Sequence, residues 1–275
     1  MLIENQLDRF TASMLREERS PATVEKYRRE AAAFLRWLEG REPDGENAAA
    51  YKAALAEARS SAGLNGAIAA LNCLAKALGL PWRLKSVRIQ PPIFREEDRE
   101  MTEAEYRRLL AAARKRKNER LLLVMEAICA TGIRVSELRF FTVEAVRRGR
   151  AEVTNKGKTR TVLLPGKLQK VLLRYTRERG IAAGPVFVTR SGRPLDRSNI
   201  WHEMKNLCKA AGVAESKVFP HNLRHLFARA YYALEKDIVR LADILGHSSV
   251  NTTRIYTMES GYTHRKHLER LRLVE

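Results

Sequence analysis

At 275 residues the chain is long enough for two modest domains, each able to bury its own core. Lysine and arginine outnumber aspartate and glutamate 51 to 32, a formal net charge of +19, so polyanions are natural partners and acidic proteins of that size are not its relatives in composition. No apolar run of about 18 residues occurs, which excludes a membrane-spanning helix, and an N-terminus carrying Glu4 and Asp8 lacks the layout of a secretory signal.

The first 90 residues read as helices. Leu2, Ile3, Leu7, Phe10, Met14 and Leu15 recur on one helical face. Ser20-Pro21 marks the next start, with serine as cap and proline in the first turn. Val24, Tyr27, Ala31, Phe34, Leu35 and Leu38 then continue a buried stripe until Gly40. An alanine-rich stretch at 47–59 gives a third helix, and Leu64, Ile68, Leu71, Leu74, Ala75 and Leu78 give a fourth, ended by Gly79 and Pro81. Residues 1–88 are therefore expected to form a small helical bundle.

Pro91-Pro92, followed by charges, disfavours helix and places a linker at 89–99, before a second domain at 100–275. Thr102-Glu103-Ala104-Glu105 is a capping box, and residues 118–130 form an apolar helix closed by Thr131-Gly132. Ala151–Thr154 and Thr161–Leu164 flank Asn155-Lys156-Gly157-Lys158, the pattern of a β-hairpin. Val186-Phe187-Val188 suggests a third strand. From about residue 198 the pattern is helical again, with a short basic helix from His264 to Leu273.

Charge is distributed unevenly. Residues 1–90 carry 14 basic against 11 acidic side chains, and residues 91–275 carry 37 against 21, so the second part is the one expected to meet nucleic acid. Cys73, Cys129 and Cys208 have neither CxxC nor metal-site spacing and read as buried free thiols of a reducing cytoplasm; no metal or cofactor is expected.

The chemistry-bearing residues lie in that basic part. Attack on a phosphodiester builds negative charge on a pentacoordinate phosphorus, and without a metal preorganised cationic donors must meet it. Arginine suits this best, because its planar fork holds two phosphate oxygens at once. Arg134 follows a glycine break in Ala130-Thr131-Gly132-Ile133-Arg134, and Arg224 lies one helical turn after His221 in His221-Asn222-Leu223-Arg224. His221 and His247 can exchange protons near neutral pH. His225 is expected to point elsewhere on its helix and to be structural. Tyr256 ends Thr252-Thr253-Arg254-Ile255-Tyr256 downstream of Leu245-Gly246-His247-Ser248-Ser249, making it the favoured nucleophile over Tyr262. Lys156 and Lys158, both at the hairpin tip, can each deliver a proton to a departing 5′ oxygen.

In this order, Ala-Thr-Gly-Ile-Arg-Val-Ser-Glu-Leu, the Lys-Gly-Lys hairpin, His-Asn-Leu-Arg-His, Leu-Gly-His-Ser-Ser and Thr-Thr-Arg-Ile-Tyr resemble the tyrosine recombinase (lambda-integrase-like) family over most of residues 100–260. The resemblance implies a mainly α protein: an N-terminal four-helix core-binding (SAM-like) bundle, plus a mostly helical catalytic domain carrying a small antiparallel β-sheet. It also implies that Arg134 and Arg224 clamp the scissile phosphate, Lys156 is the general acid, His221 assists proton transfer, His247 hydrogen-bonds the phosphate and Tyr256 becomes a 3′-phosphotyrosine. Glu137 resembles the acidic partner that orients the site. The hairpin, Asn-Lys-Gly-Lys-Thr-Arg, is slightly shorter than the family's commonest Gly-Lys-Gly-x-Lys, so Lys156 and Lys158 remain alternatives. Lys26, Arg29, Lys76, Lys158 and Arg160 are expected DNA contacts.

The implied activity is site-specific recombination without metal, cofactor or ATP. Its implied partners are double-stranded DNA with inverted-repeat core sites and further copies of the chain, in a tetramer joined through the C-terminal segment. A chain that begins directly with the bundle suggests a simple Xer-like or mobile-element type. Two other readings share these residues: a type I topoisomerase, and a non-catalytic DNA-binding regulator on the same scaffold.

Overall fold

The computed structural model describes residues 2–90, 97–155, 157–189, 191–258 and 261–271. It divides into two compact units, Met1–Pro91 and Pro92–Glu275. Residues 91–96 of the expected linker lie outside the described residues.

The first unit consists of α1 (Leu2–Arg16), α2 (Pro21–Trp37), α3 (Gly45–Ala58) and α4 (Ser61–Leu78). Each of the last three starts where a side-chain oxygen takes an otherwise orphaned backbone N–H: Ser20 from Thr23, Asp44 from Asn47 and Ser60 from Gly63. Phe10, Met14, Phe34, Leu71 and Leu74 fill the core, and the Phe34 ring meets Tyr51 at 5.3 Å and Trp82 at 6.1 Å. Beyond α4 the chain runs back along it as an extended strap. Asn72 grips Leu84 at both backbone groups (2.9 and 2.8 Å), and Asn65, two helical turns earlier, grips Val87 in the same way (2.8 Å each). Each amide thereby does for one residue of the strap what a neighbouring strand would do.

The second unit opens with the capping box: Thr102 N donates to Glu105 (2.7 Å) and Glu105 N to the Thr102 hydroxyl (3.2 Å). It comprises α5 (Glu103–Lys115), α6 (Glu119–Thr131), α7 (Val143–Arg148), β1 (Arg150–Asn155), β2 (Lys158–Leu163) and α8 (Gly166–Glu178). Then follow α9 (Arg197–Lys205), α10 (Cys208–Ala211), α11 (Pro220–Glu235), α12 (Ile238–Leu245), α13 (Val250–Thr253) and α14 (Gly261–Arg270), with 3-10 turns at Val135–Phe140 and Arg254–Tyr256 among the connections. Helix α6 is the axis of this unit: Leu121 to Met125, Ala127 and Ile128 are all buried, as expected of a helix surrounded by others. It packs on α11, α5, α8 and α9.

The hairpin has the expected type. β1 and β2 pair antiparallel with Asn155 opposite Lys158, and Gly157 takes φ +74°, the left-handed turn conformation. Lys156 lies outside the described residues. The third strand does not form: among the described residues the sheet has two strands, and Val188 makes only an isolated bridge to Pro194. Val186 and Phe187 are buried as core residues instead. Pro185 and Pro194 border the segment and offer no N–H to extend a ladder. The three cysteines are free, Cys208 buried and the others partly so. No described helix is long and apolar enough to cross a membrane.

Candidate active site

The site is assembled where the C-terminal end of α6, the start of α11, the hairpin and the Gly246–Tyr256 segment converge. Helix α6 ends at Gly132 in the left-handed conformation, φ +64°, and a Cβ there would collide with the Phe227 ring. The tight turn brings Arg134 round beside the 3-10 turn that follows. Glu137, on that turn and 2% exposed, is the hub. It accepts from Arg134 Nη1 (2.9 Å) and from the Arg134 backbone N–H (3.0 Å), and takes Arg160 of β2 in a fork at 3.2 and 2.9 Å. Burial works against its charge, but the hydrogen bonds from Arg160 and Arg134 outweigh it and hold the carboxyl down at about 2. Arg160 also donates to the Ile244 carbonyl, and Arg134 Nη2 to the Gly246 carbonyl. Arg160 is 15% exposed and turned inward onto Glu137, while Arg134, at 31%, still faces solvent.

Arg224, on α11, is 1% exposed. Nη1 donates to the Gly132 carbonyl, and Nη2 donates to the Leu245 carbonyl (2.7 Å) and meets His247 Nε2 at 3.1 Å. Its Nε–H is buried with no partner among the described residues. Burial first, then the Arg134 charge, lower its pKa to about 10. A guanidinium can only donate, so His247 Nε2 must accept, and the imidazole proton sits on Nδ1, which then donates to Thr253 Oγ1 at 2.9 Å. Burial, followed by the Arg224 and Arg134 charges, lowers the His247 pKa to about 4, keeping the ring neutral at pH 7.

Tyr256 is 6% exposed. Its ring lies face to face with His247, centroids 6.3 Å apart and planes 20° apart, and meets His225 edge to face at 5.2 Å. Burial raises its phenol pKa against the opposing pull of Arg224, so the hydroxyl is protonated at rest. His225 does not point elsewhere: it is wedged between Tyr256 and His221, whose ring is 4.5 Å away. The i, i+4 spacing of His221 and His225 on one helix face was the available signal. Partial enclosure of its ring and the Arg224, Arg134 and Arg197 charges lower the pKa of His221, which keeps one surface to solvent.

A cleft of about 500 Å³ opens over this cluster, lined by Arg134, Lys158, Arg160, Asp243, Gly246 and His247 among others. Its described lining sets three cations, Arg134, Lys158 and Arg160, against the single carboxylate of Asp243, leaving an excess positive charge inside a concave site. Arg134, Arg224, His247 and Tyr256 are thus brought together, with His221 at the margin and exposed Lys158 on the rim. Lys156 and the side chain of Tyr262 lie outside the described residues. Lys26, Arg29 and Lys76 belong to the first unit and are exposed, Lys76 paired with Glu17 at 2.7 Å. Among the described residues no cluster of three His, Cys, Asp or Glu side chains is arranged to hold a metal. Spacing and motif order did not reveal the partnership of Arg160 with Glu137 or of Thr253 with His247.

Comparisons with known proteins place the chain in a family. Residues 99–261 match the phage integrase family. The chain is 33% identical to the tyrosine recombinase XerD of Xanthomonas axonopodis pv. citri (strain 306), over 98% of this chain and 95% of that protein. It is 30% identical to the tyrosine recombinase XerA of Pyrococcus furiosus, over 98% and 94% respectively. The fold is similar to that of a lambda integrase tetramer bound to a Holliday junction, with a TM-score of 0.72, 18% identity, and 92% of this chain and 76% of that chain covered.

Proposed function

Because the chain belongs to the phage integrase family of tyrosine recombinases, we propose that it is a site-specific DNA recombinase that cuts and rejoins strands through a 3′-phosphotyrosine at Tyr256. One observation carries the reading: a phenol, a buried guanidinium and a neutral imidazole lie in mutual contact beneath an electropositive cleft.

The reaction follows from these groups. A scissile phosphodiester entering the cleft meets Arg134 from the solvent side and the unpartnered Nε–H of Arg224 from below. As the Tyr256 oxygen attacks, negative charge on the non-bridging oxygens grows, and donors already fixed by Glu137, Gly132 and Leu245 stabilise it without reorganising. The phosphate oxygen also competes for Arg224 Nη2. That frees His247 Nε2, which bonds the phosphate as its Nε2–H tautomer, with the Thr253 hydroxyl then donating to Nδ1 and fixing the ring plane. His221 assists proton transfer, and a hairpin lysine, Lys156 with Lys158 as the alternative, protonates the departing 5′ oxygen. The phosphotyrosine bond stores the energy of the broken one, so a 5′ hydroxyl from a second duplex can reverse the step and complete exchange without ATP.

In the same reading residues 1–88 are the core-binding domain, joined by a linker at 89–99 to the catalytic domain at 100–275. Lys26, Arg29, Lys76 and Lys158 contact the duplex, and Arg160, expected from sequence as a DNA contact, reaches it only where it lines the cleft, its guanidinium being held by Glu137. Double-stranded DNA bearing inverted-repeat core sites is the substrate, and four copies joined through the C-terminal segment form the working assembly; lambda integrase is likewise a tetramer when bound to a Holliday junction.

The test is to select bound sequences from randomised duplex DNA and to place two copies of the selected site in one plasmid. Site-dependent deletion or inversion is the expected result. Relaxation of plasmids with and without the site, and no exchange, would favour a topoisomerase instead.

A further inference from the structure

The catalytic reading leaves one buried polar group unexplained. His225 Nε2 is shielded from solvent and has no hydrogen-bond partner among the described residues. Such an orphan costs stability and is uncommon in a native structure. Here it lies against the proposed nucleophile, since the imidazole and the Tyr256 ring meet edge to face at 5.2 Å, with His221 4.5 Å from the same imidazole. His247 is stacked on the same phenol, with centroids 6.3 Å apart.

His247, the other imidazole beside Tyr256, is committed: to its two partners in the free protein, and to the phosphate once DNA is bound. His247 Nε2 faces Arg224, and its Nδ1 faces Thr253. Arg224 itself attracts the phenol oxygen in the free protein. A guanidinium only donates, so Arg224 provides no acceptor for the hydroxyl hydrogen. With its proton on Nδ1, His225 offers Nε2 to receive it. Burial and the charges of His221, Arg229, Arg224 and His247 around it favour the uncharged ring that this requires.

We propose that His225 is a positioning residue for the nucleophile: its ring packs edge to face with Tyr256, and its unpartnered Nε2 accepts the phenol hydrogen bond once DNA occupies the cleft. The proposal rests on the recombinase reading with Tyr256 as nucleophile. It assigns no net proton transfer to His225, only the orientation of the O–H before attack. An aromatic ring without a nitrogen would keep the packing and lose the orientation.

Single-turnover cleavage of a nicked duplex carrying the selected site, by the full chain, separates these functions. His225→Phe keeps ring volume and removes the acceptor; His225→Gln keeps an acceptor near the position of Nε2. The expected result is a loss of about tenfold in cleavage rate for His225→Phe, the worth of one hydrogen bond, with DNA affinity and melting temperature close to wild type. His225→Gln should recover most of the rate, which a merely space-filling residue would not do. If the phenylalanine variant fails to fold, His225→Gln against His225→Met gives the same contrast in similar shapes. Wild-type cleavage by the variant lacking an acceptor, or equal losses with and without one, overturns the proposal. No covalent adduct with the unmodified chain overturns the recombinase reading instead.

Discussion

Arg224 holds its charge in almost complete burial, yet its described partners are two carbonyls, an imidazole and the Tyr256 phenol, all neutral. A buried cation without a paired anion is costly, and an arriving phosphate supplies the missing charge. Arg134 differs: it is half open and steered by a carboxylate. Replacing either with alanine is expected to raise the cleavage barrier by about 3–4 kcal/mol, the scale of losing one transition-state donor, as read from single-turnover rates. Near-normal cleavage would remove that arginine from the clamp. Glu137 acts through both arginines it touches. Glu137→Gln keeps its shape but weakens several charge-assisted hydrogen bonds, and should lower stability by about 1–3 kcal/mol in denaturant unfolding. An unchanged midpoint would mean that Arg134 and Arg160 find equivalent partners elsewhere.

At the scale of elements, the site depends on two glycine turns. Gly132 ends α6 in a conformation that L side chains avoid, in a place where the Phe227 ring leaves no room for a Cβ. Gly246 ends α12 the same way at φ +65°, and its Cβ would meet Arg160 Cδ at 2.5 Å. Gly132→Ala is expected to cost more than the roughly 1–2 kcal/mol of left-handed strain alone, because a rigid ring must also move. Gly246→Ala displaces only a flexible side chain, so its fold should survive while the Arg160–Glu137 fork loosens. Melting temperatures for the pair check this order, and equal losses would contradict it.

Helices were legible wherever a cap and an apolar stripe coincided, as at Ser20, Thr102 and residues 118–130. The hairpin was legible because asparagine and glycine demand a tight turn. What stayed hidden depended on contacts distant in sequence. Asn65 and Asn72 read as ordinary polar residues until a strap lies beside them. Val186-Phe187 has strand composition, but the prolines beside it offer no N–H, and its pairing stops at isolated bridges. The motifs named the groups brought together at the cleft, whereas the inward turn of Arg160 and the wedge of His225 needed coordinates.

Across the whole molecule, three depressed pKa values act in one direction. His247 at about 4 and His225 at about 3 stay neutral in the fold, but their unfolded counterparts take up protons below about 6.5. Stability is therefore full above that pH and lost as it falls, by up to about 1.4 kcal/mol per pH unit for each histidine. Glu137, held at about 2, adds its own loss below the ordinary carboxylate range of about 4.5. The unfolding midpoint should fall steeply between pH 6.5 and pH 4, and less steeply in His225→Gln; a flat profile over that interval would contradict the buried neutral state. With a net charge of +19 concentrated beyond residue 90, non-specific DNA affinity should drop by orders of magnitude between about 50 and 200 mM salt.

The central claim is that Tyr256 becomes covalently joined to DNA, and the direct measurement is peptide mapping of the adduct trapped on a nicked duplex of the selected site. The expected result is a nucleotide on the tryptic peptide containing Tyr256, through its phenol oxygen and a 3′ phosphate, with no adduct and intact DNA binding in Tyr256→Phe. An adduct that persists in that variant, or that maps to Tyr262 in the unmodified chain, would contradict the account.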